Sequence, residues 1–208
     1  MTIFKTFRMI KKSDISFSPE VLQKLPCGLF RAPFNEASEI IPEFKELIET
    51  CPIPKEEWND WEIDIKTHML FKGQYPCMPN WHCDNIPRNE EGELIYNYPI
   101  DYEEPPMFLW ISGNPRTEFL SKITELKGIK DHGDLNKTIL NLKPETVKIP
   151  EKHWCSFQRL TPHRGSKAEE NTWRVFVRIT HKSIAPQRPV YSHIRRHSQV
   201  YLESNFHW

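Results

Sequence analysis

The sequence predicts a single, mainly β domain of sandwich or barrel type with a few flanking α-helices. Three observations predict it. The chain has 208 residues, enough for one domain with an enclosed core. Eighteen prolines against seven glycines call for many rigid turns and short extended segments. Short runs rich in β-branched and aromatic residues recur, separated by Pro, Gly and charged clusters. No repeat, low-complexity tract or linker divides the chain. One domain over residues 1–208 is expected, with its core at 62–182.

Taken in order, the first expected element is a helix over Glu36–Thr50, where Ile40, Ile41, Phe44, Leu47 and Ile48 recur at helical spacing. Proline is tolerated in a first turn, which puts the helix start near Pro42. Glu62–Phe71 alternates around Ile63 and Ile65 and then turns wholly apolar, so it reads as a strand, as does Met107–Ser112. Thr117–Lys127 is expected to be a second helix, with Phe119, Leu120, Ile123 and Leu126 as its apolar face, Thr117 as N-cap and Gly128 as its stop. Strands are expected at Thr138–Leu142, Thr146–Ile149, Trp154–Leu160 and Thr172–Thr180, with one more offered by Val190–Leu202.

Composition excludes little beyond a globally charged partner. Lys and Arg total 28 and so do Asp and Glu, so nothing overall marks a nucleic-acid or membrane-surface protein. Hydrophobic content is 38%, but aromatics at 12% can supply buried area. No run approaches the roughly 20 apolar residues of a membrane span, and Met1–Ile10 mixes Lys and Arg with apolar residues, unlike a signal peptide. Cys27, Cys51, Cys77, Cys83 and Cys155 are odd in number and lack a CxxC pair, against a disulfide framework or structural zinc. A reducing, cytoplasmic setting is expected.

Chemistry concentrates in two segments. In Pro79-Asn80-Trp81-His82-Cys83-Asp84, an extended backbone would project His82 and Asp84 to one face. One imidazole and one carboxylate are two-thirds of a facial triad that leaves positions open on a non-haem Fe(II). Alone, an HxD pair is more often a surface or loop pair. The second segment is Leu160-Thr161-Pro162-His163-Arg164-Gly165-Ser166, followed by Trp173-Arg174-Val175-Phe176-Val177-Arg178. Arg174, Phe176 and Arg178 share one face of that strand and Val175, Val177 and Ile179 the other. Two arginines on a hydrophobic strand are costly unless they meet an anion or water, and a guanidinium suits a carboxylate.

These residues together resemble the Fe(II)/2-oxoglutarate-dependent dioxygenase superfamily, whose pattern is HxD, a long gap, a distal His before a turn, and an Arg on the next strand. The resemblance covers roughly residues 62–182. It implies a double-stranded β-helix (jelly-roll, cupin-like) and iron ligation by His82, Asp84 and His163. It further implies that Arg174 binds the distal carboxylate of 2-oxoglutarate, with Arg178 a second candidate for that role or for a carboxylate nearer the metal. Iron, 2-oxoglutarate and dioxygen would then drive oxidation of a C–H bond in an unidentified primary substrate. Halogenating members carry a small residue where this chain has Asp84, so hydroxylation or demethylation is favoured.

Other residues carry weaker expectations. Tyr75, with Gln74, precedes the metal motif and is a candidate substrate contact. Asn85 follows the motif directly, and Trp81 and Trp110 are candidate pocket walls, although aromatics are ordinary in a β core. His68 is a pocket or core histidine, whereas His132, His153 and His181 read as surface or structural. The polar stretch Asn89–Glu104 is either a substrate lid or a solvated loop. His193, Arg195, Arg196 and His197 form a modest basic cluster. Two other functions stay open: a non-catalytic jelly-roll binding module, and an oxygenase directed at nucleic acid, which needs a basic groove and a stacking aromatic.

Overall fold

A computed structural model describes residues 2–25, 30–97, 104–185 and 200–202. The architecture is mainly β, built from antiparallel sheets that do not close into a barrel. The strands are β1 (Thr2–Phe4), β2 (Arg8–Lys12), β3 (Phe30–Pro33), β4 (Trp61–Leu70), β5 (Met107–Gly113), β6 (Glu118–Leu120), β7 (Thr124–Leu126), β8 (Thr146–Lys148), β9 (His153–Phe157), β10 (His163–Arg164) and β11 (Thr172–His181). The α-helices are α1 (Pro19–Lys24), α2 (Ala37–Ile40), α3 (Lys45–Glu49) and α4 (His132–Leu142).

Six strands form the main sheet in the order β2-β9-β5-β11-β4-β3. Its alternation sorts side chains to two faces. Ile63, Ile65, Trp110, Trp154, Val175, Val177 and Ile179 point to one face, where Phe44, Leu47 and Ile48 of the segment ending in α3 cover them. Each such side chain contributes roughly 1.5–3 kcal/mol when fully buried. The opposite face carries Met107, Leu109, Ile111, Cys155 and Phe157, together with the charged residues of β4 and β11. The small sheet β10-β6-β8 packs on this second face, with Phe119 of β6 against Phe157 at 5.7 Å between ring centroids. The site therefore lies between two sheets.

Glu36–Thr50 is helical but broken: α2 ends before Pro42, a 3-10 turn spans Pro42–Phe44, and α3 follows. Proline lacks the amide proton that a continuous helix would use there. The strands expected around residues 62–71, 107–112, 146–149, 154–160 and 172–180 form within a few residues of those bounds.

Two expectations are overturned. Thr117–Lys127 is not a helix: it forms β6 and β7, with Ile123 exposed between them. Phe119 and Leu120 instead serve strand pairing, because β6 lies between β8 and β10 and its backbone bonds to both. Thr138–Leu142 is not a strand but the last turns of α4. Asp131 caps that helix by accepting from the Asp134 amide, Leu135 and Ile139 are buried one turn apart, and Lys143 ends it in the left-handed region at φ 46. The Val190–Leu202 strand and the basic tail cluster fall outside the described residues, except 200–202, where Tyr201 pairs with Tyr75. Among the described residues no helix is long and apolar enough to cross a membrane, and Cys51, Cys77, Cys83 and Cys155 are free thiols.

Candidate metal centre

His82 and His163 are brought together by backbone pairing. The His82 amide donates to the His163 carbonyl at 3.0 Å and the His163 amide donates to the His82 carbonyl at 2.9 Å. On its other side His163 pairs with Phe119 of β6, and its ring packs 5.3 Å from Phe119 and 5.4 Å from Phe157. The loop carrying His82 is tied to α4, because the Trp81 amide donates to Asn136 Oδ1 at 2.9 Å. The two imidazoles face each other at 4.5 Å between centroids.

Their tautomers follow from their contacts. His82 Nδ1 lies 2.8 Å from the Asn80 carbonyl and His163 Nδ1 lies 2.9 Å from the Thr161 carbonyl. A carbonyl only accepts, so each Nδ1 donates its proton there and Nε2 is the nitrogen left to meet a metal. Burial, helped by His163, lowers the His82 pKa to about 4, which keeps that imidazole neutral near pH 7. Asp84 completes the set, its Oδ2 3.5 Å from His163 Nε2. Burial alone would raise its pKa, but Arg178 and His163 outweigh burial and hold it well below the usual carboxylate range. One ligand atom from each of His82, Asp84 and His163 fits within 4.8 Å of the others. Two imidazole nitrogens and one ionised carboxylate form a donor set that suits a divalent transition metal.

The triad opens into a cavity of about 210 Å³ whose walls include Arg174, Arg178, Lys66, Thr117, Cys77 and Phe176. Its two arginines differ in their partners. Arg178 donates from Nη1 to Asp84 Oδ2 at 2.5 Å and from Nη2 to Asp64 Oδ2 at 2.6 Å. Arg174 is 2% exposed and meets no carboxylate among the described residues. Its Nε donates to the Pro115 carbonyl at 2.7 Å, an Nη lies 3.5 Å from Thr117 Oγ1, and the guanidinium sits 5.4 Å from the Phe176 ring centroid. Burial lowers its pKa to about 10, so it stays charged near neutrality.

The weaker expectations are placed as follows. Trp110 is fully buried on the other face of the main sheet, packed in the core against Phe17, and walls no part of the cavity. Trp81 is 1% exposed and supports Arg164, whose guanidinium stands 4.8 Å from its ring centroid. Asn85 adopts φ 56 and turns its amide toward Met107 Sδ, while Tyr75 lines a separate groove with Arg164 and Gly165. His68 is buried on the cavity side of β4, directly across from Arg174. His132 is not remote: at the start of α4 its ring lies 6.3 Å from that of His82, and its Nδ1 is hydrogen-bonded to the Tyr96 hydroxyl. Tyr96, 1% exposed, thereby anchors part of the Asn89–Glu104 stretch beside the centre. His153 and His181 are structural, bonded to the Glu151 carbonyl and to Ser183 respectively.

Sequence reasoning missed Arg31, Asp64, Lys66, Cys77, Thr117 and Tyr201, all placed at or behind the cavity. A signal existed for two of them. Asp64 and Lys66 alternate with Ile63 and Ile65 on one strand, the same pattern that singled out Arg174 and Arg178. Neither a protein-family model nor a curated protein matches the chain.

Proposed function

We propose that this protein is an Fe(II)- and 2-oxoglutarate-dependent dioxygenase on a double-stranded β-helix scaffold, hydroxylating or oxidatively demethylating a substrate beside the metal. One observation carries the reading. A buried, charged arginine that meets no carboxylate among the described residues shares a cavity with two histidines and a carboxylate whose ligand atoms lie within 4.8 Å of one another. An unpaired guanidinium this deep is costly unless a ligand supplies the anion.

In this reading His82 and His163 bind iron through Nε2, and Asp84 binds through its carboxylate. Arg174, with Thr117, receives the distal carboxylate of 2-oxoglutarate. Bound iron would let dioxygen oxidise both 2-oxoglutarate, to succinate and CO2, and the substrate C–H bond, one oxygen atom going to each. The chain's own contribution is orientation. The carbonyls of Asn80 and Thr161 fix the imidazole planes, Arg178 holds Asp84, and Phe119, Phe157 and Phe176 keep water from the reacting end. Asp84 occupies the position that halide needs, which favours oxygen insertion.

Calorimetric titration of Mn(II)-loaded protein with 2-oxoglutarate and with glutarate tests this reading. Glutarate keeps both carboxylates but lacks the chelating keto group. 2-Oxoglutarate should bind far more tightly, only with metal present, and Arg174→Ala should weaken both ligands. A protein that retains no metal and distinguishes neither ligand would instead be a non-catalytic binding module.

A further inference from the structure

We propose that Asp64 is a positioning residue for the metal centre, acting with Arg31 to hold Arg178 in the one orientation that aims Asp84 at the metal. The proposal rests on the metal reading above and adds to it two residues outside the ligand set. Asp64 touches neither the triad nor the open part of the cavity.

The placement begins with strand register. Asp64 lies on β4 directly across from Arg31 on β3 and from Arg178 on β11, so three charged side chains stand on one rung of the main sheet. Asp64 is 3% exposed. Arg31 grips it with two parallel bonds, Nε to Oδ1 at 2.6 Å and Nη2 to Oδ2 at 2.7 Å. Arg178 Nη2 reaches the same Oδ2 at 2.6 Å, and Arg178 Nη1 continues to Asp84 Oδ2 at 2.5 Å. The charges alternate along this chain, Arg31, Asp64, Arg178, Asp84, and cancel. Burial opposes ionisation of Asp64, yet Arg178 and Arg31 together keep its pKa below normal.

Two features make this more than a buried ion pair. A guanidinium is planar, so anchoring one Nη on Asp64 fixes where the other Nη points. Asp84 sits in a loop rather than a strand, and among the described residues its carboxylate meets only Arg178 and His163. Its orientation therefore depends on Arg178, and that of Arg178 on Asp64. Charge acts in the same direction. Without the Asp64 carboxylate, the full charge of Arg178 would fall on Asp84 and compete with a metal cation for its oxygen. Loss of Asp64 should thus weaken metal binding both by misorientation and by competition.

The test is equilibrium binding of Co(II) to the metal-free, full-length protein, read from its visible d–d absorption against a competing chelator. Asp64→Asn should weaken binding by about 10- to 100-fold, the usual range for groups that orient metal ligands. Arg31→Lys keeps the charge but loses the two-pronged grip, and should weaken binding several-fold; it carries the test if Asp64→Asn does not fold. Trp154→Phe, on the far face of the same sheet, is the structural control and should lower the thermal midpoint with metal affinity unchanged. Wild-type affinity in folded Asp64→Asn and Arg31→Lys would overturn the proposal, as would an equal loss in Trp154→Phe. A wild-type protein that binds no Co(II) would overturn the metal reading itself, a result distinct from either.

Discussion

Arg174 and Arg178 share one face of a single strand and open into the same cavity, yet among the described residues only Arg178 meets carboxylates. Their substitution should therefore separate two functions. Arg174→Met should leave metal affinity intact and raise the Kd for 2-oxoglutarate by about 10- to 100-fold, the worth of one charge-assisted contact. Arg178→Met should weaken the metal first, because Asp84 loses its partner. Paired titrations with Mn(II) and with 2-oxoglutarate check this, and identical profiles for the two variants would contradict it.

Lys66 stands across β4 from Phe176, lines the cavity, and has no ion pair or hydrogen bond among the described residues. Burial lowers its pKa, so an anion bound in the cavity would offset the cost of its charge. Lys66→Met should weaken glutarate binding to the metal-loaded protein while leaving the thermal midpoint of the ligand-free protein equal or higher. Calorimetry and a melting curve read both effects; unchanged glutarate affinity would contradict the expectation.

His68 makes stability depend on pH. Burial first, then Arg174 and Lys66, lower its pKa from the model-compound 6.5 to about 3. The unfolded chain therefore takes up a proton that the folded chain refuses, and its contribution, complete above pH 6.5, is lost as pH falls toward 3. The loss is about 1.4 kcal/mol per pH unit within that window. His68→Leu should flatten the pH dependence of urea unfolding between pH 6.5 and 4 without changing it above pH 7. A parallel curve for wild type and variant would contradict the assignment.

Gly165 owes its place to a close approach. A Cβ there would sit 2.8 Å from Cys77 Sγ and 2.9 Å from the Cys77 carbonyl oxygen. Gly165→Ala should cost about 1–3 kcal/mol by overpacking, and weaken metal binding by shifting the His163 segment away from residues 76–78. Gly73→Ala is the comparison: φ is +91 with nothing within 4 Å of the added Cβ, so backbone strain should lower stability while metal affinity holds.

Much of the site was legible because its chemistry is local. His82 and Asp84 are two residues apart and the strand of Arg174 and Arg178 follows His163 closely, while the resemblance to the dioxygenase pattern joins the two segments. The main sheet was legible for a similar reason: Ile63 and Ile65, or Val175, Val177 and Ile179, alternate cleanly. The helix expected at Thr117–Lys127 failed because the helical spacing of Phe119, Leu120, Ile123 and Leu126 is a local signal that long-range strand pairing overrides. That pairing joins β6 to β8 and β10, from distant sequence. Without α4, Asn136, which ties the His82 loop, had no place, and His132 read as surface or structural although its ring lies beside that of His82. The Arg31–Asp64–Arg178 rung was equally illegible, because it depends on the order β11-β4-β3.

The central claim is tested most directly by anaerobic optical titration of the protein with Fe(II) and 2-oxoglutarate. A weak visible charge-transfer band should appear only when both are present. It should vanish in His82→Ala and require much more 2-oxoglutarate in Arg174→Ala. A wild-type protein that binds no iron and shows no band would contradict the assignment of His82, Asp84 and His163 as an iron centre.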